Sequence, residues 1–588
     1  MKRLRSQEFF LLLAWCGLGL ALRLLNLGGQ PVWADEWTTF VFSLGHSFRD
    51  LPLNQLLTLE ALLQPVRLDE ATAWEGVQHL MNESTHPPLY FWLSHHWIQL
   101  WQQSGELISP WVGRSLSVLF STLTILATYG LGLCCGAARR TAHVATALTA
   151  VSPFGIYLAQ EARHYTLAML WGMAALGCFV RAWQSLSHPS LDRPIHWPLW
   201  IGVNALGFAT HYVFALFLAA QGLAMAGSWL VELWYKLRAG MSWPVAIAQL
   251  NTHPWRQVAI AALGSALGIL PWAWFLGRAS GNDLTAWIEQ DLSGWGLLAP
   301  LGRLLSWLIS MVMVLPVEQV PVGVAIASGL GLVVMLVWLL PQLLRGGRQV
   351  LQAPVQTAAD RAERVSFQAL MVLFGAQVAV VLGLTYGLNR DLTLSPRYGF
   401  ALLPEVLLAI AIALGALWPR SRRLAIVLVL LGCLGSGTVA FGLAYQKADR
   451  PDQLVAQIQD FYQSWRTQAG DVWPGDPLAQ QRPRSLVMAI IQKTHSETGK
   501  LLGVAQEWHE RSESGLQTPG FVLLRRNPDT YAATRGIRDA TATVARPFDL
   551  WLINFSASGN FRDLGCTLEP DVVKLRSPGY SARRFVCN

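Results

Sequence analysis

Residues 399–445 read GFALLPEVLLAIAIALGALWPRSRRLAIVLVLLGCLGSGTVAFGLAY, two apolar runs separated by a short segment with three arginines. A helix needs about 20 apolar residues to cross a hydrocarbon core, and each run is close to that length. Arginines between two spans favour the cytoplasmic side of the membrane. This stretch therefore predicts a pair of membrane-spanning helices joined by an inner loop.

Similar apolar runs recur along most of the chain. Clear spans are predicted at 9–27, 111–135, 141–158, 165–185, 257–277, 321–343, 366–388, 399–418 and 424–445. Residues 197–234 are long enough for two more, with a break near His211. Two shorter runs, 88–103 and 301–316, are interrupted or flanked by prolines and polar residues. We predict about eleven spans, and thirteen if both short runs cross.

Composition supports a membrane protein. The 588 residues are 53% hydrophobic and only 14% charged, whereas a soluble protein carries about a quarter charged residues. The net charge of +8 resides in short loops, without the basic helix or aromatic-basic groove of a nucleic-acid module. We therefore expect the lipid bilayer, and no nucleic acid, as a partner.

Loop charge predicts the sidedness of the spans. With the N-terminus inside, residues 28–110 lie outside and carry nine acids against Arg49 and Arg67. If the two short runs do not cross, the basic loops all lie inside, as the positive-inside rule expects. The expected fold is a polytopic α-helical membrane protein, in the plasma (inner) membrane of the cell, with its C-terminus on the non-cytoplasmic side.

The C-terminal segment has a different composition. Residues 446–588 are charged and rich in glycine and proline, and RSLVMAII, GFVLLRR and DLWLINFS have the alternation or β-rich composition of strands. We predict two domains: a transmembrane domain 1–445 that includes the outer loop 28–110, and an exported, small α/β or β-rich domain 446–588. Cys566 and Cys587, its only cysteines, could form a disulfide in an oxidising space.

The first candidate site is the Asp35-Glu36 doublet, which follows the first span almost directly. A carboxylate at this position could act as a general base that takes a proton from an attacking hydroxyl group. The alternative is a solvated acidic turn. The doublet by itself does not distinguish these two interpretations.

Two further motifs lie at predicted outer span ends. His86 opens HPPLY, in which the prolines set the backbone direction, although a simple helix start is the alternative. Glu161 and Arg163 belong to QEARHY, which continues through His164 and Tyr165. Charged groups at membrane depth usually face a cavity or pair with each other. The glutamate could hold a metal ion or acceptor, and the arginine could hold a phosphate.

The last pair of motifs is His211-Tyr212 and Arg397-Tyr398. A planar guanidinium binds phosphate oxygens in a bidentate manner, which suits a lipid-linked phosphate. The alternatives are a kinked helix pair for His211 and a snorkelling arginine for Arg397. All these motifs fall on one side of the membrane in a topology assigned from separate basic loops, which favours a single outward-facing active site.

These motifs in this order (DE after the first span, HPPLY, QEARHY, THY and RY followed by Pro404) resemble the GT-C glycosyltransferases. The resemblance covers roughly residues 1–445 and is greatest to family 39 and the aminoarabinose-transferase-like group. It implies a polyprenyl-phosphate sugar donor and inverting transfer of a hexosyl or pentosyl group on the non-cytoplasmic face. The acceptor, whether lipid, glycan or protein, stays unknown.

The resemblance also implies roles for particular residues. Asp35 corresponds to the base with Glu36 beside it, Glu161 to a second acidic position, and Arg397 and Tyr398 to the donor-phosphate region. Arg163 is added from its charge, and the pocket set is completed by a group of rings: His86, His164, Tyr165, His211 and Tyr212. A divalent metal ion is the one cofactor left open.

Two departures limit the resemblance. Aminoarabinose transferases have Glu-Lys-Pro-Pro where this chain has Thr85-His86-Pro87-Pro88, so a metal site there and lipid A modification are not supported. The large lumenal insertion of protein mannosyltransferases is also missing. A transporter or flippase of lipid-linked saccharides is the alternative function, although the internal repeats frequent in transporters are not evident.

Overall fold

The computed structural model describes residues 6–188, 191, 197–279, 286–290, 292–470, 485–511, 517–526, 532–555, 561–568 and 574–588. The first helices of the chain are α1 Ser6–Leu24, α2 Ala34–Ser43, α3 Leu59–Leu63, α4 Ala73–Glu83, α5 Leu89–Trp101, α6 Pro110–Cys134, α7 Arg139–Ala150, α8 Pro153–Ala159, α9 Tyr165–Ser187 and α10 Trp197–Thr210. The next are α11 Phe214–Arg238, α12 Trp243–Leu250, α13 His253–Ala279, α14 Ala299–Ser310, α15 Val322–Gln352, α16 Ala358–Gly387, α17 Leu402–Ala416, α18 Arg422–Ala440, α19 Pro451–Gly470, α20 His495–Glu510 and α21 Ala532–Ala540. The strands are β1 Leu56–Leu57, β2 Ser485–Gln492, β3 Gly520–Arg525, β4 Phe548–Ile553, β5 Cys566–Leu568, β6 Leu575–Ser577 and β7 Tyr580–Cys587.

The chain divides into two compact units. The membrane unit comprises Met1–Leu27, Glu83–Tyr90 and Arg114–Gln446, and the α/β unit comprises Gly28–Asn82, Phe91–Gly113 and Lys447–Asn588. Most of the loop 28–110 therefore belongs to the same unit as the C-terminal segment. The assignment of catalysis to a domain 1–445 stays a prediction.

Membrane-spanning helices dominate the membrane unit. Among the described residues, eight helices are long and apolar enough to cross a membrane, or nine if the bent pair α7–α8 forms one span. One predicted span differs, since α10 has only 14 residues. The predicted span 257–277 lies within α13, a helix of 27 residues with Pro271 inside. The ambiguous runs form the short helices α5 and α14, of 13 and 12 residues.

Burial distinguishes central from peripheral spans. In the most apolar window of the α17 span 78% of the residues are buried, whereas the corresponding fraction for α15 is 11%. A helix that is apolar all round suits either protein or lipid neighbours, so sequence alone does not separate the two environments. The span that follows Arg397 and Tyr398 is therefore central in its unit.

A buried arginine joins the first helix to α6 and α7. Arg23 donates from Nε to Ser121 Oγ at 2.8 Å, and from Nη1 to the carbonyls of Gly19 and Ala150 at 2.9 Å each. Its Nη2 donates to the Thr149 carbonyl at 3.2 Å. Because a charged group at membrane depth is stable only when its donors are satisfied, this network fixes the C-terminal end of α1 beside the α7–α8 bend.

The α/β unit contains a seven-stranded sheet in the order β1-β3-β2-β4-β7-β5, with β6 paired to β7. Strands β3, β2 and β4 are parallel, and the other pairs are antiparallel. The three strands predicted from RSLVMAII, GFVLLRR and DLWLINFS are confirmed as β2, β3 and β4. Their near-continuous apolar sequence reflects burial on both faces, which parallel sheets require.

The disulfide predicted in the C-terminal segment is also confirmed. Cys566 and Cys587 are bonded and face each other in register across β5 and β7. The bond closes a loop with a sequence separation of 21. Together, the membrane-spanning helices and the strands of the C-terminal segment confirm the predicted fold class, a polytopic α-helical membrane protein with a small C-terminal α/β domain.

Candidate active site

The QEARHY motif forms the turn between α8 and α9. Gln160 donates from Nε2 to the carbonyls of Arg23 and Leu25 at 3.2 and 2.7 Å, which anchors the start of the turn to the end of α1. The turn is tight, since the backbone N–H of Arg163 donates to the Glu161 carbonyl at 2.7 Å. Glu161 and Arg163 are only 2% and 1% exposed. Buried charges of this kind need partners or a task.

Arg163 reaches the histidine of HPPLY. Its Nη2 lies 2.9 Å from Nε2 of His86, and Nδ1 of His86 lies 2.9 Å from Ser84 Oγ. A guanidinium can only donate, so Nε2 of His86 must accept with its lone pair. His86 is consequently neutral in this arrangement, with its proton on Nδ1 and directed to Ser84.

The hydroxyl groups of Ser117, in α6, and Tyr90, in α5, support the same turn. Ser117 Oγ donates to the Arg163 carbonyl at 2.9 Å, and its other contact is the Tyr90 hydroxyl at 2.8 Å. Because the Ser117 proton is used on the carbonyl, the Tyr90 hydroxyl donates to Ser117. The tyrosine of HPPLY thus positions the main chain at Arg163, while the histidine of the same motif contacts its side chain.

Two further histidines lie side by side in this region. The ring centroids of His164 and His211 are 4.2 Å apart, and His86 lies 5.3 Å from His164. Burial holds the pKa of both His164 and His211 well below the usual range, and Arg163 and Arg397 lower it further. Nδ1 of His211 accepts from the backbone N–H of Val213 at 3.0 Å, which leaves Nε2 as its N–H donor.

Tyr165 connects the two arginines of the predicted phosphate site. The guanidinium carbons of Arg163 and Arg397 each lie 5.9 Å from the centroid of its ring, within the range of a cation–π interaction. Tyr398 lies 6.0 Å from His211. The residues of QEARHY, His211 and the RY motif therefore occupy one cluster, although they are far apart in sequence.

The loop before Arg397 is fixed by a buried ion pair. Asp391, fully buried, pairs with Arg303 from α14, and Nε of Arg303 donates to Thr393 Oγ1 at 2.9 Å. Asp391 Oδ1 in turn accepts from the backbone N–H of Thr393 at 3.0 Å. Further along the loop, Nε of Arg397 donates to Ser395 Oγ at 3.2 Å. These contacts restrict where the Arg397 guanidinium can point.

Asp35 and Glu36 belong to the α/β unit, in the first turn of α2. Acids at this position are stabilised by the positive end of the helix dipole. Glu36 is fully buried, with its Oε2 3.8 Å from Nζ of Lys447, and Asp35 is half-buried. The backbone N–H of Ala34 donates to Asp449 at 3.0 Å.

Most of the predicted site residues converge. Those of the membrane unit that form the cluster are His86, Arg163, His164, Tyr165, His211, Arg397 and Tyr398. Glu161 lies in the same turn as Arg163, whereas Tyr212 packs against Phe208 at 5.3 Å, and burial raises its pKa to about 12. Sequence reasoning missed Ser84, Ser117 and Ser395, since single serines give no signal.

The sequence left open a divalent metal ion as a cofactor. In the part of the chain that the structure describes, no group of three or more histidine, cysteine, aspartate or glutamate side chains lies in position to hold a metal ion. The three histidines have ring separations of 4.2 to 6.4 Å and face two arginines. Such positive neighbours favour an anion over a cation, so these residues do not fit a metal centre.

The described residues thus define an integral membrane protein with an arginine–histidine cluster at the ends of its central helices. No family model and no curated protein matches the chain. It is similar to ArnT from Cupriavidus metallidurans bound to undecaprenyl phosphate, with 11% identity, a TM-score of 0.47, and coverage of 99% of this chain and 98% of that chain.

Two similar structures come from an archaeal enzyme. The oligosaccharyltransferase AglB from Archaeoglobus fulgidus, in complex with an inhibitory peptide and a dolichol-phosphate, has 11% identity and a TM-score of 0.41, over 93% of this chain and 69% of that chain. The A. fulgidus oligosaccharyltransferase in complex with Zn and sulfate has 12% identity and a TM-score of 0.41, over 92% and 67%.

Proposed function

We propose that this protein is a membrane glycosyltransferase that moves a sugar from a polyprenyl-phosphate donor to an acceptor hydroxyl group. The observation that carries the proposal is the placement of Arg163 and Arg397 about one ring, at 5.9 Å each from the Tyr165 centroid. Two fixed positive charges beside neutral histidines provide an anion site in a low-dielectric environment, where charge-assisted hydrogen bonds are strong. A lipid-linked phosphate is an anion that must be bound at the membrane boundary.

In this proposal, Arg397 and Arg163 bind the donor phosphate and stabilise its charge as it leaves. Arg163 is held by His86 and Ser117, and Arg397 by Ser395, so both are oriented before the donor binds. The Nε2–H of His211 is a further donor for a phosphate oxygen. Preorganised donors of this kind stabilise a developing charge without reorganising during the reaction.

Asp35 is proposed as the general base. The acceptor oxygen bonds to the anomeric carbon as the bond from that carbon to the phosphate oxygen breaks, and the electron pair leaves with the phosphate. The hydroxyl proton passes to Asp35, and attack opposite to the leaving group inverts the anomeric centre. Glu36 neighbours the base, and Glu161 is proposed as a second acidic group of the pocket.

We also propose that this site and the C-terminal domain lie on the non-cytoplasmic side of the plasma membrane. The Cys566–Cys587 disulfide supports this placement, because disulfides persist in oxidising compartments. Single-cysteine variants at positions 35, 161, 211 and 397, in a background without free cysteines, should react with an impermeant reagent from outside. Labelling of position 161 from the cytoplasm alone would contradict the topology.

The enzymatic proposal is tested with purified protein and radiolabelled polyprenyl-phosphate hexose and pentose donors, with candidate acceptors. Wild type should consume one donor class and label an acceptor. Asp35→Asn keeps the size of the side chain and removes its basicity, so turnover should fall about a hundred- to ten-thousand-fold. Normal turnover of this variant would remove Asp35 from the role of base. Movement of an intact donor across vesicles without bond cleavage would instead indicate a flippase.

A further inference from the structure

The start of α2 is held by a short segment at the beginning of the C-terminal domain. Lys447 Nζ lies 3.8 Å from Glu36 Oε2, and these side chains are 4% and 0% exposed. Two residues later, Asp449 accepts a hydrogen bond from the backbone N–H of Ala34 at 3.0 Å. The segment therefore contacts both neighbours of Asp35, the main chain of Ala34 and the side chain of Glu36.

The charges in this cluster are matched. Nζ of Lys500, from α20, lies 3.5 Å from Asp449 Oδ1. Burial raises the pKa of Asp449, and the nearby charge of Asp35 raises it further, whereas Lys500 and the Ala34 N–H lower it. Lys447 and Lys500 thus balance the buried carboxyl groups of Glu36 and Asp449, which would otherwise be costly to bury.

The segment is itself held by the strands of the C-terminal domain. The backbone N–H of Arg450 donates to the Pro578 carbonyl at 2.9 Å, in the turn between β6 and β7. The next residue, Gly579, has a φ of +78°, and a Cβ there would lie 2.1 Å from Asp449 Oδ1. Asn554, after β4, donates to the Gly579 carbonyl at 2.8 Å. The sheet therefore determines where Asp449 lies.

Helix α20 contributes a close surface for α2. A Cβ added to Gly499 would lie 3.1 Å from the Ala34 carbonyl oxygen, and one added to Gly503 would lie 3.3 Å from Nε1 of Trp37. Residues four apart lie on the same face of a helix. The two glycines consequently let the first turn of α2 approach the backbone of α20.

We propose that Lys447 and Asp449 are positioning residues that hold Asp35 and Glu36 for reaction, which makes the C-terminal domain a working part of the catalytic apparatus. This inference rests on the proposed role of Asp35 as the base. A displacement of about 1 Å at a reacting group can cost about a hundredfold in rate. Loss of the Lys447 charge should therefore lower turnover without weakening donor binding, because the proposed donor groups belong to the membrane unit.

The test compares full-length variants in the donor–acceptor assay. Lys447→Met keeps the apolar stem and removes the charge, Lys447→Arg restores a charge, and Lys493→Met is the matched control at an exposed lysine of the same unit. We expect kcat to fall about ten- to a hundredfold in Lys447→Met with the donor KM changed less than about twofold. Lys447→Arg should recover most of the turnover, and Lys493→Met should behave as wild type.

A double variant separates positioning from folding. Lys447→Met leaves the Glu36 carboxyl buried without its lysine, which destabilises the fold, so its melting temperature should fall. Glu36→Gln with Lys447→Met removes both charges and should restore the melting temperature while turnover stays low. Wild-type turnover in Lys447→Met or in the double variant would overturn the inference. The proposed function would still be tested separately by Asp35→Asn. A wild type that transfers no sugar would overturn the proposed function and this inference with it.

Discussion

Arg163 donates from Nη2 to Nε2 of His86 at 2.9 Å, across 77 residues of sequence. This contact sets the tautomer of His86 and the direction of the guanidinium in one arrangement. The histidine of HPPLY therefore positions the arginine side chain of QEARHY. In the proposed phosphate site, one arginine is therefore aligned by a second motif.

The first prediction concerns this alignment. Arg163→Lys keeps the positive charge but loses the planar fork, and it cannot reproduce the contact with His86. We expect the donor KM to rise about tenfold, equivalent to about 1.4 kcal/mol, with a smaller change for the acceptor. Arg256→Lys, at an exposed position, is the control. Equal donor and acceptor effects would contradict a specific phosphate role.

The second prediction is a dependence of stability on pH. The folded pKa of His164 and of His211 lies well below the usual value, mainly because of burial. Below about pH 6.5, the unfolded chain binds protons that the folded chain does not. The free energy of unfolding should therefore be flat above that pH and decrease below it, by at most about 1.4 kcal/mol per pH unit for each histidine.

The measurement is thermal unfolding in detergent between pH 5 and 8, a range chosen around the unperturbed histidine pKa of about 6.5. His211→Gln should reduce the acid slope, whereas His253→Gln, at an exposed position, should leave it unchanged. An unchanged slope in His211→Gln would show that the acid sensitivity arises elsewhere.

The third prediction concerns the disulfide. The Cys566–Cys587 bond closes a loop with a sequence separation of 21, and chain-entropy arguments give roughly 3 kcal/mol for a loop of this size. The double variant Cys566→Ala with Cys587→Ala should lower the melting temperature of the C-terminal domain. Cys433→Ala, at a free cysteine, should have little effect. Equal melting curves for both variants would refute the contribution of the bond.

The fourth prediction separates backbone strain from steric conflict. Gly579 and Gly105 have φ values of +78° and +92°, but a Cβ would meet Asp449 Oδ1 at 2.1 Å in the former and nothing within 4 Å in the latter. Gly105→Ala should cost only the strain, about 1 kcal/mol, whereas Gly579→Ala should cost more and also lower turnover. Calorimetry and the transfer assay on both variants would measure this, and equal losses would remove the role of Asp449.

Much of the fold could be predicted from local sequence. The spans follow from apolar runs of sufficient length, as 399–418 and 424–445 show, and strands β2 to β4 follow from β-rich apolar segments. The pairing of Cys566 with Cys587 could be predicted because they are the only cysteines of the C-terminal segment. The span count does not follow from composition alone, because the apolar stretch 197–234 divides into helices of unequal length, of which α10 has only 14 residues.

The sequence suggested the residues of the candidate site but not the contacts between them. The sequence determined which charged and aromatic groups lie at helix ends, because a polar residue beside an apolar run is visible in hydropathy alone. Only the tertiary structure decided that Arg163 contacts His86 and that Asp449 binds the Ala34 N–H across 415 residues. Hydropathy depends on neighbours along the chain, whereas hydrogen bonds and ion pairs depend on distance in space, which the packing of the whole chain sets.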